Sequence, residues 1–213
     1  MRSPTRPTAS SAPAGWSPNE PALRGMIQAA WCYPRRMALF VSVAILGGAA
    51  DLLTKHWVFQ WRGMPRENNE WWIWEGVFGI ETALNDGAVF GLGSGWGPAF
   101  AALSVVAALG IVVWLFYGGA AADFWLTLAL ACVTAGIIGN LYDRLGLWQD
   151  LDAAGVWRTE VRDWILLRYK NYTWPNFNIA DSLLVCGAGL LLWHGFSRPE
   201  PVKTTAKGES VNN

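Results

Sequence analysis

Four stretches of this chain are apolar over the length a helix needs to cross a bilayer, and no other feature constrains its fold as strongly. A helix rises about 1.5 Å per residue, so about 20 residues cover the hydrocarbon core. The stretches are 37–59 (MALFVSVAILGGAADLLTKHWVF), 97–117 (GPAFAALSVVAALGIVVWLFY), 124–142 (FWLTLALACVTAGIIGNLY) and about 178–197. The second and third carry no charge, so neither has the polar face that a soluble helix keeps. In a chain of 213 residues, 53% hydrophobic and 15% charged, this predicts an all-α membrane protein with four spanning helices. A formal net charge of zero argues against nucleic-acid binding, which needs a basic surface.

The first stretch is expected to be a retained anchor rather than a cleaved leader. It begins after 36 residues and lacks a short apolar core followed by a small-residue cleavage site. Residues 1–36, rich in Pro, Ser and Ala, and residues 198–213 are expected to be disordered tails flanking a membrane domain at 37–197. Cys32, Cys132 and Cys186 form no C-x-x-C pair and are expected to act as small buried hydrophobes. His56 and His194 form no H-E-x-x-H pattern, so neither a metal site nor a cofactor is expected.

Four spans put both termini on one side and two sizeable loops, about 60–96 and 143–177, on the other. The connection GGAAAD (118–123) is tight, and its Asp123 is placed to cap the next helix. Lys and Arg number eight in the tails and seven in the loops, which barely favours cytoplasmic tails. Ten of the fifteen tryptophans fall in 57–96 and 143–174, so both loops are expected to lie on one membrane surface at headgroup level. The first loop, with WEGVFGIETALNDGAVFGLG (74–93), reads as a small β platform.

The polar residues at the span ends are the candidates for chemistry. Asp51 and Lys55 in DLLTK stand four apart on one helical face, either as a neutralising pair with Lys55 snorkelling or as part of a site. NDGAVFG (85–91) offers Asn85, an amide free to meet a substrate chain, and glycines such as Gly87 that permit unusual backbone angles; an ordinary hairpin turn fits equally. GNLYDRL (139–145) places Asn140, Asp143 and Arg144 at the end of the third span, where an adjacent Asp and Arg are usually structural. EVRDWI (160–165) carries Asp163 in a short amphipathic piece, and FNIAD (177–181) carries Asn178 and Asp181 one turn apart on the fourth span. Neither a G-x-S-x-G nor an S-x-x-K pattern is present. Two neighbouring carboxylates hold a proton between them, and that pair can activate water with one member and protonate a carbonyl oxygen with the other.

The ordered set DLLTK, NDGAVFG, GNLYDR, VRDWI and FNIAD resembles the bacterial lipoprotein signal peptidase (signal peptidase II) family over roughly 37–197. The resemblance implies a four-helix aspartic endopeptidase of the bacterial inner membrane, with both termini cytoplasmic and the site near the periplasmic surface. It would remove signal peptides from prolipoproteins by cutting before the diacylglyceryl-modified cysteine, without a metal. Its partners would be such prolipoproteins, membrane lipids and the inhibitor globomycin. Asp163 and Asp181 match the catalytic positions. Asp51, Lys55, Asn85, Gly87, Asn140, Asp143, Arg144 and Asn178 match supporting or substrate-contacting ones. The chain departs from the family pattern in its Asp86 and in a long insert, LGLWQDLDAAGVWRTE (145–160), which makes Asp150 and Asp152 rivals of Asp163. A different class, a small transporter or proton-conducting protein, would string polar groups through the depth of the membrane. A lipid-modifying transferase would need a carboxylate cluster such as D-x-x-D-G, which is absent.

Overall fold

The structure, a computed structural model, describes residues 33–87 and 95–197. Residues 1–32 and 198–213 of the two expected tails, with Cys32 and most of the stretch after Asn85, lie outside the described residues; Pro34, Arg35 and Arg36, expected in the disordered tail, are helical instead. Four long apolar helices account for the predicted spans: α1 (Pro34–Arg62), α2 (Gly97–Phe116), α3 (Phe124–Arg144) and α4 (Ile179–Ser197). Helix α1 starts three residues before the expected 37, because Pro34 suits a first helical turn whose N–H groups have no partner.

Helix α3 is covered over most of its length by the other three, which expose most of theirs. Small residues make that central place possible. A Cβ on Gly136 would lie 2.5 Å from the Ala180 carbonyl oxygen, and one on Gly187 would lie 2.9 Å from that of Ala129. Helices in lipid associate through such close approaches, since lipid tails are as apolar as leucine. At the end of the bundle away from the sheet, Asp123 caps α3 by accepting from Leu126 N at 3.0 Å, as expected. The other oxygen of that carboxylate lies 2.9 Å from His194 Nε2, which ties the last turn of α4 to the first of α3. Arg36 donates to the carbonyls of Ala121 and Ala122 in the short 3-10 turn (Ala120–Ala122) between α2 and α3.

The two large loops meet in one antiparallel sheet of four strands in chain order. These are β1 (Trp71–Trp74), β2 (Phe78–Asn85), β3 (Val161–Tyr169) and β4 (Tyr172–Phe177). The sequence reading placed a platform in the first loop and an amphipathic piece around Asp163 in the second. Here the second loop supplies half the sheet, and Asp163 stands in β3. Apart from Arg162 and Arg168, the residues around it in VRDWILLRY are β-branched, aromatic or apolar, a composition that favours a half-buried pleated surface. Trp57, Trp61, Trp71, Trp74, Trp96, Trp157 and Trp174 are exposed around this end of the molecule. Of the described cysteines, Cys186 is exposed on α4 rather than buried as expected, and Cys132 is half-buried.

Candidate active site

The polar residues gather where the sheet meets the bundle, beginning with two acids and two bases. Lys55 Nζ lies 2.7 Å from Asp51 Oδ2 and 3.2 Å from Asp143 Oδ2, and it donates to Asn140 Oδ1 at 3.0 Å. Asp51, Lys55 and Asp143 are all fully buried, so the ammonium does not snorkel to the surface; its three donors are spent inside. The other oxygen of Asp51 accepts from Ala180 N at 2.9 Å, an amide of the first turn of α4 with no helical partner of its own.

Asp143 pairs not with its neighbour Arg144 but with Arg162 of β3. Oδ1 accepts from Arg162 Nε at 3.1 Å and Nη2 at 2.7 Å, and Oδ2 accepts from Arg162 N at 3.0 Å. Isolated buried ions cost several kcal/mol each, and only such close, fully hydrogen-bonded pairing offsets that cost. The quartet Asp51, Lys55, Asp143 and Arg162 is formally neutral. Arg144 turns elsewhere: it donates to Gly87 O at 2.8 Å, lies over the Phe100 ring at 5.2 Å, and stands within electrostatic reach of Asp181, Asp163 and Asp143.

Beside the quartet stand the two candidate carboxylates, joined by asparagines. Asn178 caps α4: its Oδ1 accepts from Asp181 N at 2.8 Å, and Asp181 Oδ2 accepts in return from Asn178 N at 3.3 Å. This reciprocal cap fixes the rotamers of both residues. The amide nitrogen of Asn178 donates to Asp163 Oδ1 at 2.6 Å and to Asn140 Oδ1 at 3.1 Å, while Asn140 Nδ2 donates to Asp181 Oδ1 at 2.7 Å. Asn85 stands opposite Val161 in the ladder, diagonal to Asp163 on the same face, and donates to Asp163 Oδ2 at 3.1 Å. Its own Oδ1 accepts from Gly87 N at 3.0 Å, so its amide is spent on a carboxylate and a turn rather than left free.

Asp163 is 1% exposed, whereas Asp181 is only half-buried. Burial first, and then the charge of Asp181, push the Asp163 carboxyl up to about 8, against the pull of Asn85, Lys55 and Asn178. The pair therefore holds a proton at neutral pH, with one member against water and the other against protein. That arrangement can deprotonate a water and protonate a carbonyl oxygen in one step.

The fold brings Asp163 to this cluster and leaves its rivals outside it. Asp150 pairs with Arg158 at 3.0 Å, and Asp152 accepts from Ala154 N and Val156 N, both at 2.9 Å, within an exposed turn. All ten predicted site residues lie in or beside the cluster. Two members were missed. Arg162 was not singled out within VRDWI, although a guanidinium inside a β-prone run was a usable signal. Gly139 was read only as part of a motif, yet a Cβ there would collide with Asp51 Oδ2 and lie 2.9 Å from Ala180 Cβ.

Four apolar helices that close on a buried network of acids, amides and bases under a small sheet define a multi-pass membrane enzyme. Two solved bacterial membrane enzymes share the fold at a TM-score of 0.62. One, at 23% identity, covers 82% of this chain and 94% of its own, and the other, at 22% identity, covers 75% and 94%. The profile of signal peptidase (SPase) II matches residues 43–197. A lipoprotein signal peptidase of Rhodopirellula baltica is 57% identical over 162 residues, which are 76% of this chain and 73% of the relative. One from Pseudomonas fluorescens is 38% identical over 141 residues, 64% of this chain and 72% of the relative. The chain belongs to the signal peptidase II family, and it is a protease that removes signal peptides from prolipoproteins.

Proposed function

We propose that the protein is an aspartic endopeptidase in which Asp163 and Asp181 act as a pair, cutting prolipoproteins before the diacylglyceryl-modified cysteine. The observation that carries this reading is the single asparagine, Asn178, which donates from its side-chain amide to Asp163 and from its backbone N–H to the Asp181 carboxylate, while burial of Asp163 keeps a proton on the pair. One carboxylate takes a proton from a water as it attacks the scissile carbonyl, and the other protonates the carbonyl oxygen. Collapse of the tetrahedral intermediate then returns a proton to the leaving nitrogen, and the pair regains its starting state. The two titrate jointly, so base and acid are properties of the pair.

Asn140, Asn178 and Asn85 orient the carboxylates, and the quartet around Lys55 anchors them. The membrane domain is 37–197, with the tails outside it. The enzyme sits in the inner membrane with both termini cytoplasmic and the sheet along the periplasmic surface, where exposed tryptophans suit the headgroup level. Signal peptide and acyl chains lie between sheet and bundle, where globomycin is expected to compete.

A gel-shift assay in detergent on a diacylglyceryl-modified prolipoprotein tests the reading. Asp163→Asn and Asp181→Asn should each lose at least about 100-fold in cleavage, and EDTA should leave the wild type unaffected. Undiminished cleavage by either variant would sink the paired mechanism, and inhibition by EDTA would show that a metal takes part.

A further inference from the structure

The insert 145–160 has no part in the chemistry proposed above, yet it closes over one of the buried charges. It leaves the end of α3 through Gly146 N donating to Asp143 O at 2.9 Å and Leu147 N donating to Tyr142 O at 3.2 Å. It folds back on itself through a Leu151–Trp157 bridge and Arg158 N donating to Asp150 O at 3.0 Å, then enters β3. Between these points Trp148 turns inward. Its ring lies 4.9 Å from Arg162 Cζ, and Phe59 of α1 lies 6.0 Å from the same atom. The two rings meet edge to face, centroids 6.3 Å apart at 73°, and form an aromatic corner around the guanidinium of Arg162, a residue only 4% exposed.

What this corner holds bears on the reaction. Arg162 grips Asp143 through its backbone N, Nε and Nη2, and Asp163 is the next residue along the strand. A strand advances about 3.3 Å per residue, so a three-point grip by one residue fixes the height at which the next is presented. The Arg162 carbonyl, 3.5 Å from Asn178 Nδ2, adds a contact on the far side. A lysine would keep the charge but lose the fork, since an ammonium is a point charge on a flexible stem.

We propose that Arg162, held in the corner of Trp148 and Phe59, is a positioning residue: its fork on Asp143 sets the height of β3 against α3 and so presents Asp163 to Asn178 and Asp181. The inference rests on the reading in which Asp163 and Asp181 act as the catalytic pair. Misplacing a reacting group by about 1 Å can cost about 100-fold in rate. The insert thus serves the site from outside it, by keeping water off the guanidinium that holds the strand.

The test uses the full chain in detergent, cleaving a diacylglyceryl-modified prolipoprotein, with wild type and Asp163→Asn as references. Arg162→Lys, Trp148→Ala and Trp148→Phe are compared by kcat, KM and the folded fraction from thermal unfolding. Arg162→Lys is expected to lose at least about tenfold in kcat per folded molecule while KM stays within about threefold. Trp148→Ala should lose kcat in the same way and Trp148→Phe should recover most of it, which reads the device without touching a charge. That comparison decides the matter should Arg162→Lys fail to fold. Wild-type kcat in folded Arg162→Lys, or losses that only track the folded fraction in every variant, overturns the inference. Cleavage by Asp163→Asn would instead defeat the paired-carboxylate reading and take this inference with it, and the two failures are told apart by that reference.

Discussion

Asp163, one of the two carboxylates in the mechanism proposed above, also carries a stability cost. Its carboxyl is raised in the folded protein, so between about pH 4 and about pH 8 the folded state holds a proton that the unfolded chain has released. The folded state binds the extra proton, and stability therefore falls as pH rises through that window. Thermal unfolding from pH 5 to 8, followed by near-ultraviolet dichroism, should show a declining midpoint in wild type and a flatter one in Asp163→Asn. Parallel slopes would mean that Asp163 is not the group responsible. In the proposed mechanism the pair works with one proton between its members, so kcat/KM should fall on the alkaline side with a midpoint near 8. A rate–pH profile that stays level beyond pH 9 would show that the proton is dispensable.

At the scale of elements, the meeting of α3 with α1 and α4 depends on the absence of side chains. Gly139 lets Asp51 and Ala180 come together beneath the Asp181 end of α4, where a Cβ would collide with the Asp51 carboxylate. Gly139→Ala should therefore lower stability by about 1–3 kcal/mol and cleavage by more than about tenfold, since the displaced carboxylate anchors the Ala180 amide. Gly189 lies on α4 with nothing within 4 Å of a Cβ. Gly189→Ala should be neutral or stabilising by up to about 1 kcal/mol, as helix propensity alone would have it. Equal effects from the two substitutions would show that packing at the α3–α4 seam is not what sets the site.

For the whole molecule, the alternation of helices puts the sheet at one end of the bundle and the turn at Gly119 at the other. In sealed inner-membrane vesicles of known orientation, single cysteines at Lys170 and Gly119, in a chain whose own cysteines are serine, should react with an impermeant maleimide from opposite faces. Lys170→Cys should label from the periplasmic one. Labelling of both from one face would contradict the topology, and the reverse order would invert the orientation we propose.

The four spans, the tight turn with its Asp123 cap, and the clustering of polar residues at span ends were all legible in the sequence. Each rests on local physics: hydropathy over about 20 residues, one capping side chain, and the expense of charge in hydrocarbon. Periodicity also placed Asp51 beside Lys55, since one helical turn brings i and i+4 together. The tertiary structure decided the rest, because partners 19 to 129 residues apart in the chain leave no trace in any local window. It sent Asp143 to Arg162 rather than to Arg144, made a strand of the segment around Asp163, and buried Lys55 instead of letting it reach the surface. A carboxylate in a dry interior takes whichever donor the packing brings with the best geometry, and only the packed molecule fixes which donor that is.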